Sequence, residues 1–278
     1  MYKGSSPDGI GREEIMVAPL IRKLENFTQL AEEEKAVLAK VASRTKSLGP
    51  RQDIVREGDK PDAIHLILEG LACRYKELPD GWRQIMAYFI PGDFCNLRVF
   101  IMTEMDHSVA TLTPVILATI AHQDLLTLTS QYSRITQALW WSEMVDEAIT
   151  REWLLNVGRR TATERMAHLI YEYFVRMRAV NLTVGNTCEL PVTQEEISDT
   201  LGLSTVHVNR TLQDVRGMGL IELKGKRLTL LDPQGLQTLA MFSPTYLHFL
   251  HQPQDRTAND QARRSKLEQP VGLPMTPR

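Results

Sequence analysis

Apolar positions change period three times along the chain, and each change marks a new kind of element. Between residues 29 and 42, Leu30, Val37, Leu38 and Val41 fall on one face of a helix. The acidic triplet Glu32-Glu33-Glu34 suits the positive end of its dipole, and Thr28 stands where a capping side chain belongs. From residue 47 to 120 the pattern becomes short apolar runs divided by turn residues, with Gly58, Gly70, Gly81 and Gly92 at intervals of 12, 11 and 11. That spacing predicts strands over residues 64–68, 71–75, 82–89 and 109–120, which fit an antiparallel roll of the jelly-roll or barrel type. Helical spacing returns from residue 122 to about 157, with a break near Gln131-Tyr132-Ser133. Its second piece carries Ile135, Leu139, Ser142, Val145, Ile149 and Trp153 at intervals of three and four, a seam longer than a small domain needs. This predicts a dimerisation helix over residues 122–158 that also links two domains. Trp140 and Trp141, being adjacent, point different ways on it, one toward the seam and one toward the roll.

The next periodic segment, residues 163–178, offers Met166, Leu169, Ile170, Tyr173 and Phe174 to a second core. Residues 193–231 supply the rest of that core. Thr193 with Glu196 makes a capping box, Gly202 supplies a left-handed turn, and Ser204 caps a second helix. Ile197, Leu201, Leu203, Val208, Leu212 and Val215 turn inward, with the small Ser198 at the helix crossing. Ser204, Thr205, Val206, His207, Asn209, Arg210 and Gln213 then face outward on the second helix, a surface suited to a major groove. Two apolar runs around Lys224-Gly225-Lys226-Arg227 read as a hairpin with three cations at its tip. Together they predict a winged helix-turn-helix that binds double-stranded DNA. A last short helix, residues 234–241, closes the domain.

Composition sharpens this reading in places. The net charge of −2 argues against indiscriminate nucleic-acid binding. Residues 159–231 hold ten Arg or Lys against eight Asp or Glu, a balance of only +2, so phosphate contact must come from local placement such as the wing. Cys73, Cys95 and Cys188 stand far apart, which fits neither a disulfide framework nor a metal cluster and points to a reducing cytoplasm. The first residues lack an apolar signal core, and the run 109–121 is too short and too threonine-rich to span a bilayer. Residues 1–19 are expected to form a mobile arm and residues 251–278 a disordered tail. No nucleophile–base pair stands out, and His248 with His251 lacks a third ligand, so neither an enzyme nor a metal site is expected.

The order of a roll, a long helix and a winged helix-turn-helix resembles the CRP/FNR family of bacterial transcription regulators over roughly residues 20–240. Val55-Arg56-Glu57-Gly58-Asp59, Leu68-Glu69-Gly70, Pro91-Gly92-Asp93-Phe94 and LPVTQEEISDTLGLSTVHVNRTL carry the resemblance. It implies an α+β chain with a cyclic-nucleotide-binding-like sensor roll (20–121), the dimerisation helix (122–158) and the DNA-binding domain (159–241). It also implies a homodimer that binds a two-fold operator and contacts RNA polymerase. By position Arg210 matches the family's base-reading arginine, whereas Val206 stands where many members carry a glutamate, so Thr205, His207 and Asn209 become candidates for altered readout. Members that bind cyclic nucleotide carry Gly-Glu-Leu and Arg-Ser words in the cassette. Here these read Cys95-Asn96-Leu97 and His107-Ser108, so carboxylate and guanidinium are both missing. The effector pocket is therefore expected at Asn96, Leu97, Arg98, His107 and Ser108, for a small molecule other than cyclic AMP or for none. An iron–sulfur cluster lacks its thiolates before Cys73. His65, His107 and His122 read as ordinary histidines rather than haem ligands, and Cys95 as an inert buried thiol, so no cofactor is expected. The competing reading is a sensor module that acts through protein contacts.

Overall fold

The computed structural model describes residues 12–249. Two helices, α1 (Arg12–Glu25) and α2 (Glu32–Val41), precede seven strands: β1 (Thr45–Leu48), β2 (Asp53–Val55), β3 (Ala63–Glu69), β4 (Ala72–Glu77), β5 (Arg83–Phe89), β6 (Ser108–Thr111) and β7 (Val115–Ala121). Helices α3 (His122–Gln131) and α4 (Ser133–Arg159) lead to the C-terminal domain, which contains α5 (Ala162–Ala179), β8 (Thr187–Glu189), α6 (Gln194–Leu201), α7 (Thr205–Gly217), β9 (Ile221–Lys224), β10 (Arg227–Leu230) and α8 (Pro233–Leu239). The roll is two antiparallel sheets, ordered β1-β7-β3 and β2-β6-β4-β5. Ile67, Leu117 and Val115 from the first sheet meet Ala72, Phe89 and Val109 from the second in one dry layer. The α+β architecture therefore matches the pattern of apolar positions.

Gly58, Gly70, Gly81 and Gly92 all have φ between +86° and +96°, which explains their regular recurrence at turns. Two of them do more. A Cβ on Gly70 would lie 2.3 Å from the Pro114 carbonyl oxygen, and one on Gly92 would lie 2.9 Å from the Pro19 backbone, where α1 crosses the roll.

Four expectations need correction. Residues 12–19 belong to α1 rather than to a mobile arm, because Val17, Leu20 and Leu24 form a helical stripe that is fully buried. Residues 1–11, and with them the rest of the arm, lie outside the described residues, as does the expected tail. Thr28 does not cap α2. Its first residue follows Ala31, whose N–H donates to Glu34 Oε2 at 2.8 Å, so the acidic triplet supplies the cap. The expected strand 109–120 is two strands, because Pro114 has no N–H for a ladder and Thr113 turns to accept the Leu71 N–H at 2.8 Å.

The fourth correction concerns α4. Ile135, Leu139, Ser142, Val145, Ile149 and Trp153 are all buried against this chain's own α1, β5 and α5. Solvent instead reaches Gln137, Trp140, Met144, Glu147, Arg151 and Leu154, again at alternating intervals of three and four. Trp140 is 52% exposed, while Trp141 stacks on Phe27 at 5.8 Å, so the two tryptophans do diverge.

The C-terminal domain packs directly on the roll. Tyr88 Oη and Thr200 Oγ1 are 2.6 Å apart, Gln84 donates to the Thr200 carbonyl at 3.0 Å, and Arg83 pairs with Asp199 at 2.7 Å. Arg176 of α5 donates to Asp93 Oδ2 at 2.8 Å and to the Tyr88 carbonyl at 2.9 Å.

The glycine geometry makes a graded prediction. Gly58→Ala has open space around the new methyl and should cost only the ~1–2 kcal/mol of a left-handed alanine. Gly70→Ala adds a backbone clash and should cost at least ~2 kcal/mol more. Thermal melts of the two variants check the order; equal midpoints would refute it.

Candidate nucleic-acid interface and effector cassette

The helix-turn-helix is assembled by local rules. Thr193 N donates to Glu196 Oε2 at 2.7 Å, and Glu196 N returns to Thr193 Oγ1 at 3.2 Å. Gly202 ends α6 at φ +63°, the Ser198 hydroxyl donates to the Leu203 carbonyl, and the His207 N–H donates to Ser204 Oγ at 3.3 Å. Ile197, Leu201, Val208, Leu212 and Val215 are buried beneath. α7 is thereby rotated so that Thr205, Val206, Asn209, Arg210 and Gln213 reach solvent, with Ser204 at the cap and His207 half-buried. Val206 is 80% exposed, an apolar side chain that the fold itself does not use.

Two neighbours of this face escaped the sequence reading. Asn209 Nδ2 donates to Gln194 Oε1 at 3.2 Å, which ties the recognition helix to the first turn of α6. Arg216 donates to Gln213 Oε1 at 3.3 Å and adds a second cation one and a half turns beyond Arg210. Its spacing of three from Gln213 was the available signal. The hairpin β9–β10, extended by β8, presents Lys224, Lys226 and Arg227 at an exposed tip around Gly225. Lys224 pairs with Glu222 at 2.7 Å, which leaves Lys226 and Arg227 as the stronger phosphate candidates.

The cassette residues separate. Asn96 is buried and fully engaged, accepting from the His65 N–H at 2.8 Å and donating to the Ala63 carbonyl at 2.9 Å. Ser108 Oγ accepts from the Glu57 N–H at 3.0 Å, and Leu97 is packed in the short 3-10 turn Leu97–Phe100. Asn96, Leu97, Arg98 and His107 border the remaining cavity, whose volume is about 10 Å³, and Ser108 does not. Arg98 donates to Glu143 Oε2 at 3.2 Å.

The residue that fills this space is Arg74, which sequence reasoning missed. It lies in the middle of β4 at a buried position and beside a bulge that re-aims the strand. Its Nη2 donates to Asp146 Oδ2 at 2.7 Å, its Nε to His107 Nε2 at 3.2 Å, and its carbon Cζ stands 5.1 Å over the Phe89 ring. The signal was a cation inside an apolar strand run, which burial tolerates only with a partner. Burial and then the Arg74 charge hold His107 below its ordinary pKa, so the ring is neutral, with Nδ1–H donating to Asp106 and Nε2 accepting from Arg74. Burial pushes the Asp146 carboxyl upward, but the charge and hydrogen bond of Arg74 outweigh it and hold the group below the usual range.

The thiols are not poised for chemistry. Burial pushes Cys73 and Cys188 up to about 12 and Cys95 higher still, and all three are buried and unpaired. Among the described residues no group of three or more His, Cys, Asp or Glu could hold a metal ion, and no helix is long and apolar enough to cross a membrane.

Comparison with known proteins agrees with this geometry. Residues 45–132 match the cyclic nucleotide-binding domain, and residues 164–239 match the Crp-like helix-turn-helix domain. The chain is 29% identical over 198 residues to the transcriptional activator protein FnrL of Cereibacter sphaeroides, covering 70% of this chain and 79% of that one. It is 26% identical over 189 residues to the nitrogen fixation regulation protein FixK of Bradyrhizobium diazoefficiens, covering 68% and 78%. Among solved structures, FixK2 from Bradyrhizobium japonicum superposes with a TM-score of 0.64 at 24% identity, covering 72% of this chain and 98% of that one. CooA from Carboxydothermus hydrogenoformans superposes with a TM-score of 0.58 at 16% identity, covering 80% and 95%. With both domain matches in chain order on a shared fold, the chain belongs to the CRP/FNR family of bacterial transcription regulators.

Proposed function

We propose that the protein is a sequence-specific transcription regulator that binds an inverted-repeat operator as a homodimer. The observation that carries this reading is the outer face of α7, where exposed Arg210 stands between Val206 and Gln213 on a helix fixed at both ends. Arg210 would donate to guanine O6 and N7, and Thr205, Val206, His207 and Asn209 would tune the neighbouring bases. Ser204, Gln213, Lys224, Lys226 and Arg227 would serve mainly as backbone contacts.

The dimer contact is assigned to the exposed stripe of α4. Trp140, Met144 and Leu154 are 52%, 48% and 76% exposed, with the Glu147–Arg151 ion pair between them. Their average spacing of three and a half residues is that of a two-stranded coil. The FnrL and FixK proteins that this chain resembles are named an activator and a regulator, which supports contact with RNA polymerase in a cytoplasmic setting. Cyclic AMP is not assigned as effector, since the cassette lacks its carboxylate and guanidinium words and leaves only about 10 Å³. The function is regulatory binding rather than catalysis.

Selection of random duplex DNA by the purified protein tests the reading, and an inverted repeat should emerge. Arg210→Ala should cut discrimination at one guanine by about 5–150-fold, while Lys226→Ala should weaken all sequences alike and lower the salt slope by about one. Recovery of no enriched duplex would sink the proposal. Trp140→Asp combined with Leu154→Asp should yield a monomer in sedimentation and lose the repeat, whereas a dimer surviving both changes would move the interface elsewhere.

A further inference from the structure

The space around Arg74 and His107, between the roll and α4, contains charge but almost no room, whereas the larger cavity of about 320 Å³ farther along α4, beside Phe100 and Trp140, is mostly apolar. Asp106, Glu143 and Asp146 contribute three carboxylates, against the two guanidiniums of Arg74 and Arg98. With His107 neutral, an anionic molecule entering here would find both guanidiniums already paired with carboxylates of α4. It would also have to displace Arg74, because a cavity of about 10 Å³ holds at most one water molecule. Arg74 engages His107 and Asp146 and lies over Phe89, the groups that surround this position. Its stem rises from β4 in the roll, and its head is bound to Asp146 on α4 at 2.7 Å. Arg98 makes a second link, from the 3-10 turn to Glu143 on the same helix.

We propose that Arg74 is the resident occupant of the effector cavity, tying the roll to α4 through Asp146 so that the DNA-binding arrangement forms without an added small molecule. The proposal rests on the DNA-binding reading above and deepens it. The regulator would then be controlled by its abundance rather than by a ligand at this site. Arg74 is a positioning residue here: it touches no DNA and acts through the helix it holds.

Chemical rescue of the full-length protein tests this. Arg74→Ala should weaken binding to the selected operator by on the order of tenfold or more. It should also speed amide hydrogen exchange over residues 139–150. Millimolar guanidinium chloride should restore both, and sodium chloride at matched ionic strength should restore neither; a residue that merely fills space would show no such rescue. Asp146→Asn, which keeps the arginine but removes its ionic partner, should loosen the same residues without guanidinium rescue, and it serves if Arg74→Ala does not fold. Wild-type operator affinity should be unchanged by millimolar cyclic AMP or cyclic GMP. Wild-type affinity in Arg74→Ala, or a tenfold gain with either nucleotide in the wild type, would overturn the proposal. Should the wild type select no duplex while guanidinium still restores hydrogen exchange, the regulator reading fails and the role of Arg74 in holding α4 stands.

Discussion

Asp93 is the carboxylate on which three parts of the chain converge. It accepts from Lys23 of α1 at 2.6 Å, from Arg176 of α5 at 2.8 Å, and from the Ile90 N–H of its own turn at 2.8 Å. The preceding Gly92, at φ +96°, lets that turn lie against the backbone of Pro19. Breaking a buried pair costs about 3–5 kcal/mol, and removal of Asp93 would leave the buried Arg176 with only the more distant Glu172, at 3.8 Å, as counterion. The orientation of the DNA-binding domain is therefore not set by a loose linker. It follows from a turn in the roll, and the N-terminal helix closes the same site.

The second contact between the domains follows from the first. With Arg176 held, α6 lies along β5, where Tyr88 meets Thr200 and Arg83 meets Asp199. The buried core runs without interruption from Tyr88 and Ile85 of the roll through Trp153 of α4 to Ile197 and Val208 of the helix-turn-helix. α6 thus uses one face for the roll and another for α7, while α7 keeps its outer face free. A repacking at the roll would be felt at the recognition helix through packed side chains, without any change in the recognition residues themselves.

What was legible in the sequence is what local chemistry decides. The capping box at Thr193 and Glu196, the turn at Gly202 and the cap at Ser204 act over three or four residues, and each is found where spacing placed it. The turn glycines of the roll were legible for the same reason. The face of α4 was not, because a period of three and four identifies an apolar stripe but not what covers it. Ile135 to Trp153 could have met a second chain; instead they meet α1, β5 and α5. α1 itself was hidden by the glycine, serine and proline around it, although Val17, Leu20 and Leu24 already held the helical interval. Arg74 was invisible for a different reason. Its partner Asp146 lies 72 residues away, and nothing in a single sequence pairs a strand arginine with one aspartate among many.

A wholly apolar contact between the roll and α4 would bury the helix as well, yet it would fix its rotation poorly. Successive helical residues are turned by about 100°, so a slip of one residue would carry Trp140, Met144 and Leu154 away from any partner. The buried seam from Ile135 to Trp153 resists such a slip, but apolar side chains repack in several ways and set no direction of their own. Two guanidiniums with directed bonds do. Arg74 reaches Asp146, and Arg98 reaches Glu143 on the preceding turn of the same face. Together with the buried seam they restrict both the height and the rotation of α4 against the roll. The charged pairs in the cassette thus add direction to the apolar packing of α4, and the two together leave Trp140, Met144 and Leu154 at the surface.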